Sequence, residues 1–532
     1  MKKWKAILAL VLIVSLFATL FAACATNKDS GTTDTDSSNT TDTSAADTSD
    51  TSDTEEADTG DEADDEEMAE LIFYMYDMRS TGGDYGEPIN EAVNEMMAPY
   101  GLQLEIHWVG PGDWSSKVNL ALSGGERIDV VNLNPTPGSR VSNLYPQNLL
   151  MDISGLLETY APETLELMAD YIGTYTFDGK IYGVPTLRNY CKNGYIIMRT
   201  DILNELGLYE KAEALTCWSD FEEILDAVYN AYTAQGKGMW PIGLSSVTST
   251  DYQCTGDSFD TYYSFDNLGD GVAVIHNDDD GNITLYQASD GYRFACETNA
   301  RWASKGYIWP DSAVTSEFVD EIMKQDILFC NIAGSEYGVQ TTKSNAYGFD
   351  VLCVNTNIGM VKTAQPQFTG VAVPSTAEEP EAAVKFINQL YTNSDLMNLL
   401  IWGEEGKDYT VEDGQVVSTE GPHYLSVDFV LGNATILTPL MGNGADFYDQ
   451  VKNINETARK SPFLGFALAT GDLDLVMSQI TAVTDQYAKD MIYGGYTPEK
   501  LEEYISKLND AGVQDYLDAA QSQLDAWKAA NQ

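Results

Sequence analysis

Basic side chains are scarce in this chain. Lys and Arg number 29 in 532 residues against 82 Asp and Glu, so the formal net charge is −53. A phosphate backbone is held by a basic stripe, and so acidic a balance excludes nucleic acid as a partner. It also disfavours anionic ligands outside a local basic pocket, while self-repulsion keeps the chain soluble. Histidine is scarcer still: His107, His276 and His423 are the whole set. There is no HExxH, no complete GxSxG and no GxxxxGK(S/T), so the zinc-protease, serine-hydrolase and P-loop signatures are missing. The seven cysteines, Cys24, Cys191, Cys217, Cys254, Cys296, Cys330 and Cys353, contain no CxxC pair. Their spacing matches neither a zinc nor an iron–sulfur site, and no metal or cofactor is expected. Scattered cysteines suit buried thiols and a secreted location permits disulfides, so the pairing stays open. Glycoside hydrolysis survives these absences, because it needs only two carboxylates and residues 71–532 hold 65.

What is present begins with an N-terminal address. Lys2, Lys3 and Lys5 precede an uncharged run from Ala6 to Ala23, which ends in Leu20-Phe21-Ala22-Ala23-Cys24. A cationic start, an apolar stretch and small residues at its end describe a secretory signal. The small pair before a cysteine resembles a bacterial lipobox, with Phe21 where Leu is commonest. Cleavage would leave Cys24 as a lipidated first residue, anchored stably by two acyl chains. The alternative is an uncleaved membrane span, for which 18 residues just suffice. Residues 29–70 then carry 17 Asp or Glu and no Lys or Arg. Such a segment buries too little apolar surface to order itself and is expected to be a disordered tether, extended by its own charge.

The rest has a globular composition, at 43% hydrophobic and 11% aromatic over the whole chain. Leu71–Tyr76 reads as a strand and Glu87–Ala98 as a helix with Pro88 in its first turn. Leu102, Leu104, Ile106 and Trp108 alternate with polar neighbours, as a half-buried strand does. Asp113 is placed to cap a helix bearing Trp114, Val118, Ala121 and Leu122, stopped at Gly124-Gly125. Ile128–Leu133 is the next strand. This order predicts an α/β fold with a parallel sheet. Further on, Asp178-Gly179 predicts a hairpin, Tyr195–Met198 a strand, Thr200 to Gly207 a helix, and Ser219 with Glu222 a capping box. Trp240–Leu244 reads as a strand. His276–Gly281 imitates a calcium loop but lacks its first Asp and closing Glu, and a hairpin joining Val272–Ile275 to Ile283–Tyr286 fits better. Gly370–Pro374 is a strand and Glu381–Tyr391 a helix. Helices opening at Thr497-Pro498 and carrying Leu517, Ala520, Leu524 and Trp527 complete the chain.

In such sheets ligands bind beyond the carboxyl ends of the strands. That rule marks Tyr76, Asp77, Arg79 and Asn134 as candidate ligand-binding residues. Sugars present apolar faces that stack on aromatic rings and hydroxyls that bond to planar polar groups, so a cleft combining both suits a neutral polyol. Among the nine tryptophans, Trp240 and Trp402 flank turn-forming stretches and join the candidates.

Two stretches carry a resemblance. Phe177-Asp178-Gly179-Lys180-Ile181-Tyr182-Gly183-Val184-Pro185 and the run from Met198 to Leu208 resemble the extracellular solute-binding proteins of ABC importers, in the maltose-binding-like family 1 group. The segments 398–409, 458–466, 507–512 and 523–527 are similar to a Gram-positive branch whose C-terminal domain has no known function. Trp402 stands where that branch often has Tyr. The resemblance covers nearly all of 71–532. It implies a two-lobed, periplasmic-binding-protein-like fold of type II, with a hinge and a cleft between discontinuous lobes. The expected organisation is a signal peptide over 1–23 and a lipidated cysteine with tether over 24–70. An N-lobe follows from 71–192 and 345–395, and a C-lobe from 193–344 and 396–532. Crossings are expected near Tyr190–Tyr195, Tyr347–Val354 and Asn393–Leu400, with Asp77 and Arg79 facing the loop after Trp240. The implied function is a monomeric, non-enzymatic receptor, lipid-anchored on the outer face of the cell membrane. It would capture a carbohydrate, such as an oligosaccharide, or a similar polar solute for a membrane permease. A surface glycan hydrolase and a glycan-binding adhesin are the alternatives.

Overall fold

The computed structural model describes residues 68–78, 87–136, 138–243, 256–259, 265–268, 271–276, 280–315, 319–356, 359–419 and 427–531. The lipobox with Cys24, residues 29–67 of the expected acidic tether, Arg79, Cys254 and the loop after Gly243 lie outside the described residues. The tether was expected to run to residue 70, but Ala69 and Glu70 already belong to the first strand, Ala69–Tyr76, where they pair with Leu102 and Gln103.

Alternation of apolar and polar residues builds the first sheet. Its strands run in the order Leu102–Val109, Ala69–Tyr76, Val130–Leu133, Gly370–Ala372 and Val184–Pro185. The first three are parallel, with Ala69 opposite Leu102 and Phe73 opposite Val130, as the strand–helix–strand order requires. The last two pairings are antiparallel. Leu71, Phe73 and Met75 point into the core. Phe73 meets Phe386 of the helix Pro380–Thr392 edge-on, with centroids 5.5 Å apart. Asp129 is fully buried yet satisfied. Its carboxylate accepts the N–H groups of Ile72 (3.0 Å), Glu378 (2.8 Å) and Glu379 (3.2 Å), and Arg127 donates from 3.1 Å.

The second sheet is centred on the long strand Cys191–Arg199. Leu328–Ser335 pairs with it on one side, with Trp240–Gly243 beyond. Val351–Asn355 and Met360–Val361 pair on the other, and Arg459–Lys460 lies beyond the latter. A third hydrophobic cluster joins the small antiparallel sheet Phe265–Asn267, Ala273–His276 and Ile283–Leu285 to Phe463, Phe466 and the C-terminal helices. These helices are Asp474–Asp490, Pro498–Asp510 and Val513–Asn531, and the Thr497 hydroxyl caps the second through the Lys500 N–H at 3.2 Å. Ile275 sits opposite Ile283, so the strands around His276–Gly281 form an antiparallel pair, with 277–279 outside the described residues.

Local expectations gave way where a tertiary partner was stronger. The helix at Ser219 begins at Trp218, and the Ser219 N–H and hydroxyl both donate to Asp257, at 2.9 and 2.6 Å. Glu222, expected in a capping box, instead takes Arg301 (2.9 Å), Lys305 (2.7 Å) and the Trp302 indole N–H (3.1 Å). Asp113 pairs with Lys117 at 3.0 Å rather than capping a helix.

The chain passes between the two sheets three times, and two passages differ from expectation. It crosses first over residues 186–192. It stays with the second sheet through Val351–Asn355, because that strand pairs with Cys191–Arg199, and returns only between Val361 and Gly370. The expected boundary at 345 therefore falls too early. Asn393 accepts the N–H groups of Asp395 and Leu396, both at 3.1 Å, and turns the chain directly into the helix Ser394–Trp402. That helix buries Leu396, Met397, Leu400 and Ile401 in the first core, which extends to Val451. Residues 396–419 and 427–451 thus pack with the first lobe, and the final crossing lies near Ala458–Lys460 rather than Asn393–Leu400. Five of the seven cysteines, Cys191, Cys217, Cys296, Cys330 and Cys353, are described and are free thiols.

Candidate binding cleft

The crossing segments hold an arginine at the junction of the lobes. Arg188 is 3% exposed. Its Nη1 reaches Glu336 at 2.5 Å and the Asn189 carbonyl at 3.3 Å, and its Nη2 donates to the Gln365 carbonyl at 3.2 Å. The guanidinium also lies over the rings of Phe368 (5.3 Å) and Tyr190 (5.8 Å). Glu336 belongs to the loop that follows the strand Leu328–Ser335 and turns at Gly338, φ +84°, into the helix Val339–Tyr347. The ion pair therefore joins the first crossing segment to the second lobe.

A cavity of about 570 Å³ opens beside this pair. From the second lobe it is lined by Lys192, Glu336, Tyr337 and Thr342, and from the first by Met78, Trp402, Asp428, Phe429, Phe447 and Tyr448, among others. The first-lobe wall is built from the sheet outward. Asn132, on the strand Val130–Leu133, donates its amide to the carbonyls of Gly370 and Val430, both at 2.8 Å, and accepts the Tyr76 N–H at 3.1 Å. Thr369 donates its hydroxyl to the Phe429 carbonyl at 2.5 Å. Together these bonds pin the segment that carries Asp428.

The aromatic groups form two sets. Tyr337 of the second lobe stacks on Phe447 of the first, with centroids 5.5 Å apart and planes at 25°. Phe447 meets Tyr448 edge-on at 5.0 Å. Phe368 and Phe429 pack at 6.0 Å. Trp402 is buried to 2% exposure, and its indole N–H donates to the Thr438 carbonyl at 3.0 Å.

Charge on this wall is balanced between two carboxylates and two cations. Burial, reinforced by the nearby Glu336 charge, pushes the Asp428 carboxyl up to about 6. Tyr448 donates its hydroxyl to Asp428 at 3.0 Å, and burial together with that carboxylate raises the phenol well above its ordinary value. Burial and then the Arg188 charge hold Lys192 below the usual lysine range, its ammonium 5.3 Å from the Phe368 centroid.

Of the residues anticipated from sequence, Trp402 lines this cavity, whereas the structure does not bring Tyr76, Asp77, Asn134 or Trp240 to its wall. Tyr76 is a core residue, edge-on to Trp114 at 5.2 Å. Asp77 is buried just before the lining residue Met78, its N–H bonded to the Val109 carbonyl at 2.9 Å. Asn134 closes its own turn by accepting the Thr136 N–H at 3.0 Å. Trp240 is half-buried on its strand beside the cluster formed by Ile197 and Leu328. Glu336, Tyr337 and Asp428 were missed. The carboxyl end of the strand Leu328–Ser335, in the second sheet, leads directly to Glu336 and Tyr337.

A family model described as bacterial extracellular solute-binding protein matches residues 91–403, and one described as a domain of unknown function, DUF3502, matches residues 462–529. A carbohydrate ABC transporter substrate-binding protein of Streptococcus pneumoniae serotype 4 is 23% identical over 473 residues, covering 85% of this chain and 90% of its own. The polygalacturonan/rhamnogalacturonan-binding protein YtcQ of Bacillus subtilis is 28% identical over 139 residues, covering 24% of this chain and 27% of its own. The N-glycan transport solute binding protein NgtS of Streptococcus pneumoniae superimposes with a TM-score of 0.73 at 21% identity, over 87% of this chain and 100% of that one. At that identity the structural likeness is one of fold, and it is the two-lobed fold of type II solute-binding proteins. The match over 91–403 spans more than half of the sequence, and the chain belongs to the bacterial extracellular solute-binding protein family.

Proposed function

We propose that this chain is the surface receptor of an ABC importer and that it captures an oligosaccharide in the cleft at Glu336, Asp428 and the rings around them. The observation that carries this reading is the composition of the cavity: aromatic faces from both lobes surround carboxylates able to accept hydroxyl hydrogen bonds. Ring faces cover the apolar sides of a sugar and planar polar groups fix its orientation, which suits an uncharged polyol. Three crossing segments supply the hinge, and the solute favours closure by the difference between its affinities for the closed and open forms. The relatives are named for binding and transport, in keeping with capture and release of an unaltered solute. A permease then takes the solute from a monomeric receptor. Cys24 carries the lipid anchor and residues 29–67 space the lobes from the membrane. Among the described residues no helix is long and apolar enough to cross a membrane.

Differential scanning fluorimetry against a panel of soluble oligosaccharides tests the binding reading. A reversible rise in Tm with unchanged sugar supports it, and no rise with any sugar counts against it. A surface hydrolase is the second reading, favoured by two carboxylates, Glu336 and Asp428, lining one cavity; chromatography showing cleaved sugar would select it. For the anchor, Cys24→Ala is expected to release protein into the medium, and undiminished membrane retention would refute lipidation there.

A further inference from the structure

Taking the cleft as a glycan site, we infer that it selects electrically neutral glycans over uronic-acid glycans, with Glu336 and Asp428 setting the choice. A uronate oligomer carries one negative charge per sugar, and a cleft that favours two or three such units does so best with uncommitted cations to meet them. Among the described residues the cleft has two cations near it, and one is committed. Arg188 gives Nη1 to Glu336 and Nη2 to the Gln365 carbonyl. Its Nε has no partner and is buried, yet the group's charge is already matched by Glu336. Lys192 is the remaining cation on the wall, and it forms no ion pair among the described residues. Opposite it stands Asp428, a carboxylate that a ligand's carboxylate would have to approach.

Charge repulsion therefore disfavours an acidic sugar at two levels. Locally, a ligand carboxylate meets Asp428 and competes with Glu336 for Arg188. Globally, it approaches a chain of net charge −53. A neutral hydroxyl has the opposite experience. It donates to Asp428 or to Glu336, and a carboxylate acceptor makes the stronger kind of hydrogen bond. The aromatic surfaces of Tyr337, Phe447 and Tyr448 accept either sugar alike, so the carboxylates carry the discrimination. Selectivity of this kind is built from a repulsive element as much as from an attractive one.

Isothermal titration of the full chain with maltotriose, kestose, a mannose–N-acetylglucosamine disaccharide and trigalacturonate tests the inference. At least one neutral sugar is expected to bind, and trigalacturonate is expected to bind at least tenfold more weakly or not at all. Glu336→Gln frees Arg188 and is expected to strengthen trigalacturonate binding. Asp428→Asn is expected to weaken the bound neutral sugar by about tenfold or more. Preferential binding of trigalacturonate by the unaltered chain would overturn the selectivity while leaving the solute-binding reading intact. Absence of binding by every sugar would overturn both. Unchanged selectivity in folded Glu336→Gln and Asp428→Asn proteins, checked by circular dichroism, would overturn the assignment to these residues. The comparison on the unaltered chain stands even if a variant fails to fold.

Discussion

Asn455 holds Tyr190 in place: its Oδ1 accepts the Tyr190 N–H at 3.0 Å, and its Nδ2 donates to the carbonyl of Arg188 at 2.7 Å. A side chain on the helix Phe447–Thr457 thereby fixes the backbone of the first crossing segment on both sides of Asn189. All three groups are buried. Asn455→Ala leaves a buried donor and a buried acceptor without partners, which is expected to cost about 2–4 kcal/mol. Urea unfolding followed by tryptophan fluorescence measures it; a midpoint unchanged from the parent chain would show that the clamp is dispensable.

Asp428 imposes a pH dependence whose sign follows from its carboxyl being raised to about 6 by burial and by Glu336. The folded chain binds that proton more tightly than the unfolded chain, whose Asp titrates near its usual value. The group's favourable contribution is therefore complete below about pH 4 and is lost as the pH rises through 6. Asp428→Asn removes the titration. The Tm of the variant minus that of the parent is expected to grow between pH 4 and 6 and to level off above. The wall is partly solvated, so the change should correspond to about 1 kcal/mol rather than the full linkage value. A flat difference across that range would contradict the burial of this carboxyl.

Tyr337 and Trp402 separate binding from folding. Tyr337 is 42% exposed and stacks on Phe447 across the lobes. Tyr337→Ala is expected to weaken solute binding by roughly tenfold with little change in stability. Trp402 fills the first core, and Trp402→Ala is expected to cost about 3–5 kcal/mol whatever it does to the solute. Parallel calorimetric titration and thermal melts distinguish the two; equal loss of stability in both variants would contradict this division.

Gly338 of the second lobe packs against Phe447 of the first. Its φ is +84°, and a Cβ there would lie 2.7 Å from the ring of Phe447. Gly338→Ala adds backbone strain and pushes Phe447 away, together about 1–3 kcal/mol against the closed arrangement. Small-angle scattering is expected to show a larger radius of gyration for the variant than for the parent at saturating sugar. Equal radii would mean that the lobes close without this contact.

Much of the architecture could be read from patterns of one or two residues. Leu102, Leu104 and Ile106 alternate with polar neighbours and form the strand they predict. Asp178-Gly179 supplies the positive φ pair, 51° and 74°, that a tight hairpin needs. Thr497-Pro498 starts its helix where the cap and the fixed φ of proline place it. These features depend on neighbours in sequence, so local chemistry suffices.

Tertiary structure decided the rest. Glu222 prefers Arg301 and Lys305 to a local cap because two cations outweigh one backbone N–H. Residues 396–419 and 427–451 join the first lobe because the apolar surface of Ser394–Trp402 has the first core within reach. The cleft assembles Arg188, Glu336, Trp402 and Asp428 from segments up to 240 residues apart in number, and no local signal couples them. Sequence alone therefore determined many of the elements that form. Only folding, by burying carboxylates and cations beside one another, decided where those elements meet and what lies between them.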